Sequence, residues 1–470
     1  MNPFYSQNRL DAVRAHFEGP GATPTAASRA YRRVLAHYYR NLIPPEASIL
    51  EIGCGQGDLL ALLPNTDITG VDLSPTQIAA ARQRLPHGRF EVQAGETLRL
   101  DRTFDVLILS ETLNFSADVQ VLLETIRSVS SPRTRLILNF HNTLWRPVLA
   151  VAELMGLTPA SPQGNWLSRA DAHNLLVLAG WETVSCQPRL LSPFPLLGLG
   201  TGINRFLAPF FPWACLTILM VARPKPDTKG EGFSVSVIIP ARNEAGNMAG
   251  MPDRIPTMGR STELIFVEGH SRDDTWEQIQ LLVNKHPDRT IIALRQSGTG
   301  KGNAVREGFD RATGDILMIL DADLTVPPEE LPKFYNVLAS GQAEFANGVR
   351  LVYPMEKQAM RFLNMCANKF FSLAFSWVLG QPLKDTLCGT KVLFRKDYEA
   401  IARNRSFFGD FDPFGDFDLL FGACRLNLKI TDIPIRYRER TYGTTNIQRW
   451  RHGWLLLKML VLAARKLKFV

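Results

Sequence analysis

The sequence predicts an α/β protein of two domains, each built on a mostly parallel sheet, and three observations carry the prediction. Short apolar runs alternate with stretches of helical length through both halves of the chain. A polar segment rich in proline and glycine, residues 224–232, lies between the halves and reads as a linker. Each half opens with its own strand, loop and helix pattern. The expected boundaries are 1–223, the linker 224–232, 233–450, and a basic amphipathic C-terminal helix at 451–470.

In the first half the expected strands are 48–52, 68–71, 90–93, 104–109 and 135–140. In the second they are 234–239, 263–267, 290–294 and 316–320. Residues 206–222 are apolar but hold Pro209 and Pro212, and read as core. Residues 362–380 and 454–464 carry polar interruptions or are short. A spanning helix takes roughly 18–20 uninterrupted apolar residues, so these two read as core helices or as helices lying on a membrane surface.

The 470 residues are 45% hydrophobic and 21% charged, enough apolar material for packed cores. The net charge of +8 is modest for this length and does not call for nucleic acid as a partner. It suits phosphorylated donors or an anionic membrane face. Cys54, Cys186, Cys215, Cys366, Cys388 and Cys424 show no metal-ligand spacing, which favours a reducing compartment. The first residues are polar, without the apolar centre of a secretory signal. The expectation is a cytoplasmic protein, with peripheral contact at the inner face of the membrane.

Residues 48–60 read as a strand, a glycine-rich turn and a helix start. Gly53, Gly55 and Gly57 let backbone approach a ligand closely. Their G-x-G-x-G spacing differs from the dinucleotide-binding G-x-G-x-x-G. Glu51 precedes the first glycine, where a carboxylate can face a positive charge. Asp72 ends the next strand, placed for ribose hydroxyls. These residues, with Val71-Asp72-Leu73-Ser74 and Phe104–Ser110, resemble the class I methyltransferase family over about residues 35–222. The resemblance implies a Rossmann-like methyltransferase fold with Gly53, Gly55, Asp72 and Glu96 at S-adenosylmethionine. A domain that binds NAD, or nothing, is the alternative. His141 is a candidate base for methyl transfer, with a structural histidine as its alternative.

In the second half, Gly314–Leu324 is an apolar strand ending in Asp321 and Asp323. Residues i and i+2 of a strand point the same way, so the two carboxylates are expected to converge on one Mg²⁺ or Mn²⁺. Such a metal neutralises a leaving nucleoside diphosphate. Val237–Glu244 is a second buried strand whose end, with Pro240, Ala241, Asn243 and Glu244, offers polar groups to a nucleotide. Residues 297–303 are not a P-loop, because Arg295 and Gly302 stand where glycine and Ser/Thr are required.

From about 233 to 450 these motifs resemble the family 2 glycosyltransferases of the GT-A fold, in particular the dolichyl-phosphate mannose synthase-like branch. The resemblance implies a nucleotide-sugar donor, with Lys301 at its phosphates and Glu268 near its base. Glu268-Gly269 stands where the family usually has two aspartates, which leaves UDP against GDP open. It places Asp385 near metal and sugar, and Arg440 on phosphate. Asp416 would be the base for a hydroxyl acceptor. The acceptor stays open between a polyprenyl phosphate, already ionised at neutral pH, and a saccharide hydroxyl on a glycan. In the latter case the first domain could serve as a binding or scaffold module.

Overall fold

The computed structural model describes residues 3–19, 26–155, 164–193, 199–226, 232–353, 362–405, 417–440, 442 and 449–470; side chains are left aside at 3–7, 26–27, 362–366 and 449–452. The chain divides into two compact units, Met1–Lys225 with Phe469–Val470, and Pro226–Lys468.

The first unit holds β1 (Ile49–Ile52), β2 (Ile68–Asp72), β3 (Arg89–Val92), β4 (Phe104–Ser110), β5 (Ser130–His141), β6 (Trp181–Arg189) and β7 (Thr217–Pro224). Their order in the sheet is β3-β2-β1-β4-β5-β7-β6. The strands from β3 to β5 are parallel, and β7 is antiparallel to both β5 and β6. Alternation along the strands fills a core on each face. Leu50, Leu107 and Leu138 enter one core, while Ile49, Ile108 and Ile137 enter the other.

The second unit holds β8 (Ser234–Ala241), β9 (Ser261–Glu268), β10 (Thr290–Arg295), β11 (Ile316–Ile319), β12 (Phe345–Val349), β13 (Lys391–Phe394) and β14 (Ile430–Pro434). The order is β10-β9-β8-β11-β13-β12-β14, with β13 antiparallel to β11 and β12. Val235, Val237 and Ile239 pack with Ile316 and Met318 on one face. On the other face the helix Lys301–Arg311 lies so close that a Cβ at Gly308 would meet Ile238.

Both sheets are therefore mixed, and five strands depart from the sequence expectation. β6, β12, β13 and β14 are interrupted by residues such as Pro188, Asn347 and Lys391, which hide the apolar alternation. β7 is buried throughout and runs to Pro224, into the start of the expected linker. The glycine turn after β1 leads to a single 3₁₀ turn, Leu60–Leu62, because Pro64 follows at once. No helix among the described residues is long and apolar enough to cross a membrane.

Candidate functional sites

In an open sheet, ligands settle beyond the carboxyl ends of the strands where the strand order reverses. In the first unit that point lies between β1 and β4, since β2 and β3 extend to one side and β5 to the other. A cavity of about 310 Å³ opens there. Glu51, Gly53, Gly55, Asp72, Glu96 and Glu111 border it, and the helices Pro3–Glu18 and Ala26–Leu42 cover it with Phe17 and Arg32 among others.

Gly53 has φ +74°, and a Cβ there would meet Thr112 Oγ1 at 2.9 Å. Gly55 has φ +52°, and a Cβ there would meet only Gln77 Oε1, at 3.9 Å; the residue borders the cavity. Gly57, expected at the cofactor, is not among the cavity's bordering residues. Its φ of +72° and its approach to Leu85 make it a turn residue instead. Asp72 receives the Gly55 and Ser74 amides, each at 2.9 Å. Burial nonetheless raises its pKa. Glu96 accepts from Ser116 Oγ and the Ala117 amide at 2.8 Å.

Glu51 is 2% exposed, and its Oε2 has no hydrogen-bond partner. Burial pushes its carboxyl up to about 8, against the pull of the Arg32 guanidinium and with Asp72 adding to the rise. A buried carboxyl left without a partner on a cavity wall is costly unless a ligand supplies a charge or a donor. The sulfonium and amine of S-adenosylmethionine would supply both, so the residues present fit that cofactor.

His141 ends β5 and meets Glu111. Glu111 and its second partner Tyr31 were missed from the sequence. The available signal was position alone, since Glu111 is the first residue past β4.

In the second unit the reversal lies between β8 and β11. Pro240 and Ala241 close β8, and Asn243 follows in a left-handed turn at φ 57°. The Asn243 amide donates to Ser271 Oγ at 3.0 Å, and Asn243 Oδ1 accepts from the Arg272 amide at 2.8 Å. Glu268, ending β9, accepts from the Ser271 amide. These contacts join the ends of β8 and β9 into one rim.

Asp321 and Asp323 lie past the end of β11, in a turn where Leu324 has φ 56°. The expected strand alternation therefore does not set their direction. Each is held instead by its own cation. Lys301, the first residue of its helix, reaches Asp321 Oδ1 at 2.6 Å. Arg440 reaches Asp323 Oδ2 at 2.6 Å and Glu244 Oε1 at 3.0 Å. Asp323 Oδ1 also receives Thr325 Oγ1 at 2.8 Å. Burial raises the pKa of Glu244, with Arg440 opposing. Among the described residues no three His, Cys, Asp or Glu side chains form a metal cluster. Two carboxylates are what Mg²⁺ commonly takes from a protein when phosphates and water complete its shell, so Asp321 and Asp323 fit such an ion.

Asp385 is placed differently from the expectation. It is 0% exposed, and Arg350 grips it with Nε at 2.7 Å and Nη2 at 2.9 Å. Asn368 Nδ2 and the Leu387 amide also donate to it, at 2.8 and 3.0 Å. Its oxygens are occupied within the protein, so it fixes the loop before β13 rather than facing a ligand. That loop brings Gly389 against Asp321 and Lys301, where any Cβ would collide with both. Asp416 lies outside the described residues.

Comparison with known proteins gives each unit a class. Residues 50–136 match a methyltransferase domain profile, and residues 236–402 match glycosyl transferase family 2. The chain joins a methyltransferase domain to a family 2 glycosyl transferase domain. The dolichol-phosphate mannosyltransferase of Pyrococcus furiosus is 38% identical over 222 residues, 46% of this chain and 60% of that protein. The undecaprenyl-phosphate 4-deoxy-4-formamido-L-arabinose transferase of Yersinia pestis is 28% identical over 221 residues, 45% of this chain and 62% of that protein. The chain thus spans about 60% of the length of these curated relatives. Among solved structures, an S-adenosylmethionine dependent methyltransferase from Mesorhizobium loti aligns at 17% identity over 40% of this chain and 96% of its own, with a TM-score of 0.31.

Proposed function

We propose that the chain is a bifunctional enzyme of glycan or glycolipid synthesis, which moves a sugar from a nucleotide-sugar to a polyprenyl phosphate and a methyl group from S-adenosylmethionine. The observation that carries the glycosyl reading is the pairing of Asp321 with Lys301 and of Asp323 with Arg440 at the reversal point of the sheet. The two carboxylates would hold Mg²⁺ or Mn²⁺, whose charge offsets that of the departing diphosphate. Lys301 and Arg440 stand beside them as phosphate contacts. The rim of Asn243, Glu244 and Glu268 would receive the nucleoside.

A phosphate monoester has a second pKa of about 6 and is an ionised nucleophile at neutral pH, so this acceptor requires no protein base. The names of the relatives, which specify dolichol phosphate and undecaprenyl phosphate, support it. So do two helices that pack on each other, Phe362–Leu379 and Arg449–Ala463. They expose Phe370, Leu373, Trp454 and Val461, and Arg465, Lys466 and Lys468 follow. Apolar side chains beside a basic cluster suit an anionic bilayer surface, and support a peripheral position on the cytoplasmic leaflet.

The deciding experiment is mass spectrometry of products from a panel of nucleotide-sugars, with and without polyprenyl phosphate and divalent metal. Prenyl-phosphate-linked sugar is expected, and only with metal present. Transfer confined to saccharide hydroxyls would overturn the acceptor assignment.

Two narrower results are expected. Gly389→Ala places a methyl group against Asp321 and Lys301, and displacing a reacting group by about 1 Å can lower rates on the order of 10²-fold. Steady-state kinetics should show such a loss, with the melting temperature little changed. In the first unit, a bound sulfonium favours the ionised form of Glu51. Its carboxyl, held near 8 without ligand, should release up to about one proton on binding S-adenosylmethionine at pH 7. Calorimetry in buffers of different ionisation enthalpy reads this directly, and Glu51→Gln should abolish it.

A further inference from the structure

Just past β4 the chain turns through Glu111 with a left-handed backbone, φ 61°. That conformation is uncommon outside glycine and is concentrated at functional sites. The turn sets the carboxylate among three elements. His141, at the end of β5, has Nε2 at 3.2 Å from Glu111 Oε1. Tyr31, on the helix Ala26–Leu42, has its hydroxyl 3.0 Å from Thr217 Oγ1 on β7, and it helps to lower the pKa of Glu111. The other ring nitrogen of His141, Nδ1, lies 3.2 Å from the Asn114 amide. Glu111 borders the cavity. The two side chains keep 24% and 27% of their surface exposed, so the pair is accessible.

Charge reinforces the placement. Burial works against the Glu111 carboxylate, yet His141, the Tyr31 hydroxyl and the Arg32 guanidinium together hold it down at about 2. Burial also disfavours the His141 imidazolium, and Glu111 more than reverses this. A carboxylate that stays ionised therefore stands on the wall of the same cavity that the buried Glu51 borders.

Position along the sheet gives it a task. In the order β2-β1-β4, Asp72 and Glu111 leave the sheet two strands apart, roughly 10 Å at a strand spacing of about 4.8 Å. With the ribose at Asp72 and the sulfonium toward Glu51, Glu111 marks the end where the methyl group meets its acceptor.

We propose that Glu111, positioned by His141 and Tyr31, receives the methyl acceptor, and that the accepting atom carries a proton, as in a hydroxyl or an amine. This rests on the methyltransferase reading of the first unit. In the transfer, a lone pair on the acceptor oxygen or nitrogen forms the bond to the methyl carbon. The carbon–sulfur bond breaks and its electron pair stays on sulfur, leaving S-adenosylhomocysteine. The acceptor's proton, made acidic as the bond to carbon forms, passes to the Glu111 carboxylate and from there to solvent, while the His141 imidazolium keeps its own.

The full chain and two probes test this by binding alone. S-Adenosylhomocysteine has nothing at the methyl position, whereas sinefungin carries an amine there. Hydrogen bonds to charged groups are worth about 1.5–3 kcal/mol, so Glu111→Gln should weaken sinefungin about tenfold or more and change S-adenosylhomocysteine less than about twofold. His141→Gln removes the cation that competes for the carboxylate, and should tighten sinefungin several-fold relative to S-adenosylhomocysteine. Equal losses for both probes in Glu111→Gln, or no change in either, would overturn the assignment. If Glu111→Gln does not fold, an unchanged ratio in His141→Gln would do the same. Failure of the wild-type chain to bind either probe would instead overturn the methyltransferase reading itself.

Discussion

Asp323→Ala is expected to lower metal-dependent sugar transfer about 10²–10³-fold, on the scale of losing one preorganised electrostatic contact in an active site. Asp323 has two partners that bear on the chemistry. Its Oδ2 receives Arg440, and its Oδ1 receives Thr325. Removing the carboxylate deletes half of the proposed metal site and one of the ion pairs of Arg440, whose pairing with Glu244 remains. The loss should appear in kcat rather than only in KM, because the metal stabilises charge that develops on the leaving diphosphate. Raising Mg²⁺ or Mn²⁺ should recover little of it. Initial rates against metal and donor concentration decide the matter. Wild-type rates in the variant would remove the carboxylate pair from the mechanism.

Arg350→Leu is expected to act on stability instead, by about 3–5 kcal/mol, the usual cost of leaving a buried charge without its partner. Asp385 has no exposed surface, and the Arg350 side chain supplies two of its contacts and the Arg350 amide a third. The pH dependence follows from the same pair. Arg350, against the effect of burial, holds the Asp385 carboxyl down at about 2, while an unfolded aspartate titrates near about 3.9. The stabilisation is therefore present above about pH 4 and is lost as pH falls toward 2. In Arg350→Leu this acid loss should shrink or reverse, because without the guanidinium, burial no longer leaves the Asp385 carboxyl below its unfolded value. Denaturant melts of both proteins between pH 7 and pH 3 measure the difference. If the variant were as stable as wild type but inactive, Arg350 and Asp385 would be reassigned to ligand contact.

Read from the residues alone, the central parallel strands were legible because burial on both faces demands runs rich in apolar residues, as in Ile49–Ile52, broken only by Glu51, and Ile316–Ile319. Strands β6, β12, β13 and β14 were not. Lys391 begins β13 fully buried, and Asn347 sits inside β12 with its side chain donating to the Asp385 carbonyl at 2.9 Å. Polar residues in a strand are tolerated when distant segments satisfy them, and no local pattern announces that. The same limit applies to the sites. Gly53, Gly55 and Asp72 stood out because a glycine turn and an acidic strand end carry their reason in the spacing. Glu111 did not, because its meaning lies in His141 and Tyr31, thirty and eighty residues away.

What the sequence determined by itself was the division into two α/β units and the residue types at the two strand-end sites. Both are local in origin, since hydrophobic period, glycine turns and carboxylate spacing act over a few residues. What only the tertiary structure decided was the partner of each charge. It set Lys301 on Asp321 and Arg440 on Asp323, sealed Asp385 under Arg350, and left one oxygen of Glu51 bare. The physical reason is that electrostatic energy and hydrogen bonding depend on distance in space and on burial, and neither is written in the order of the residues.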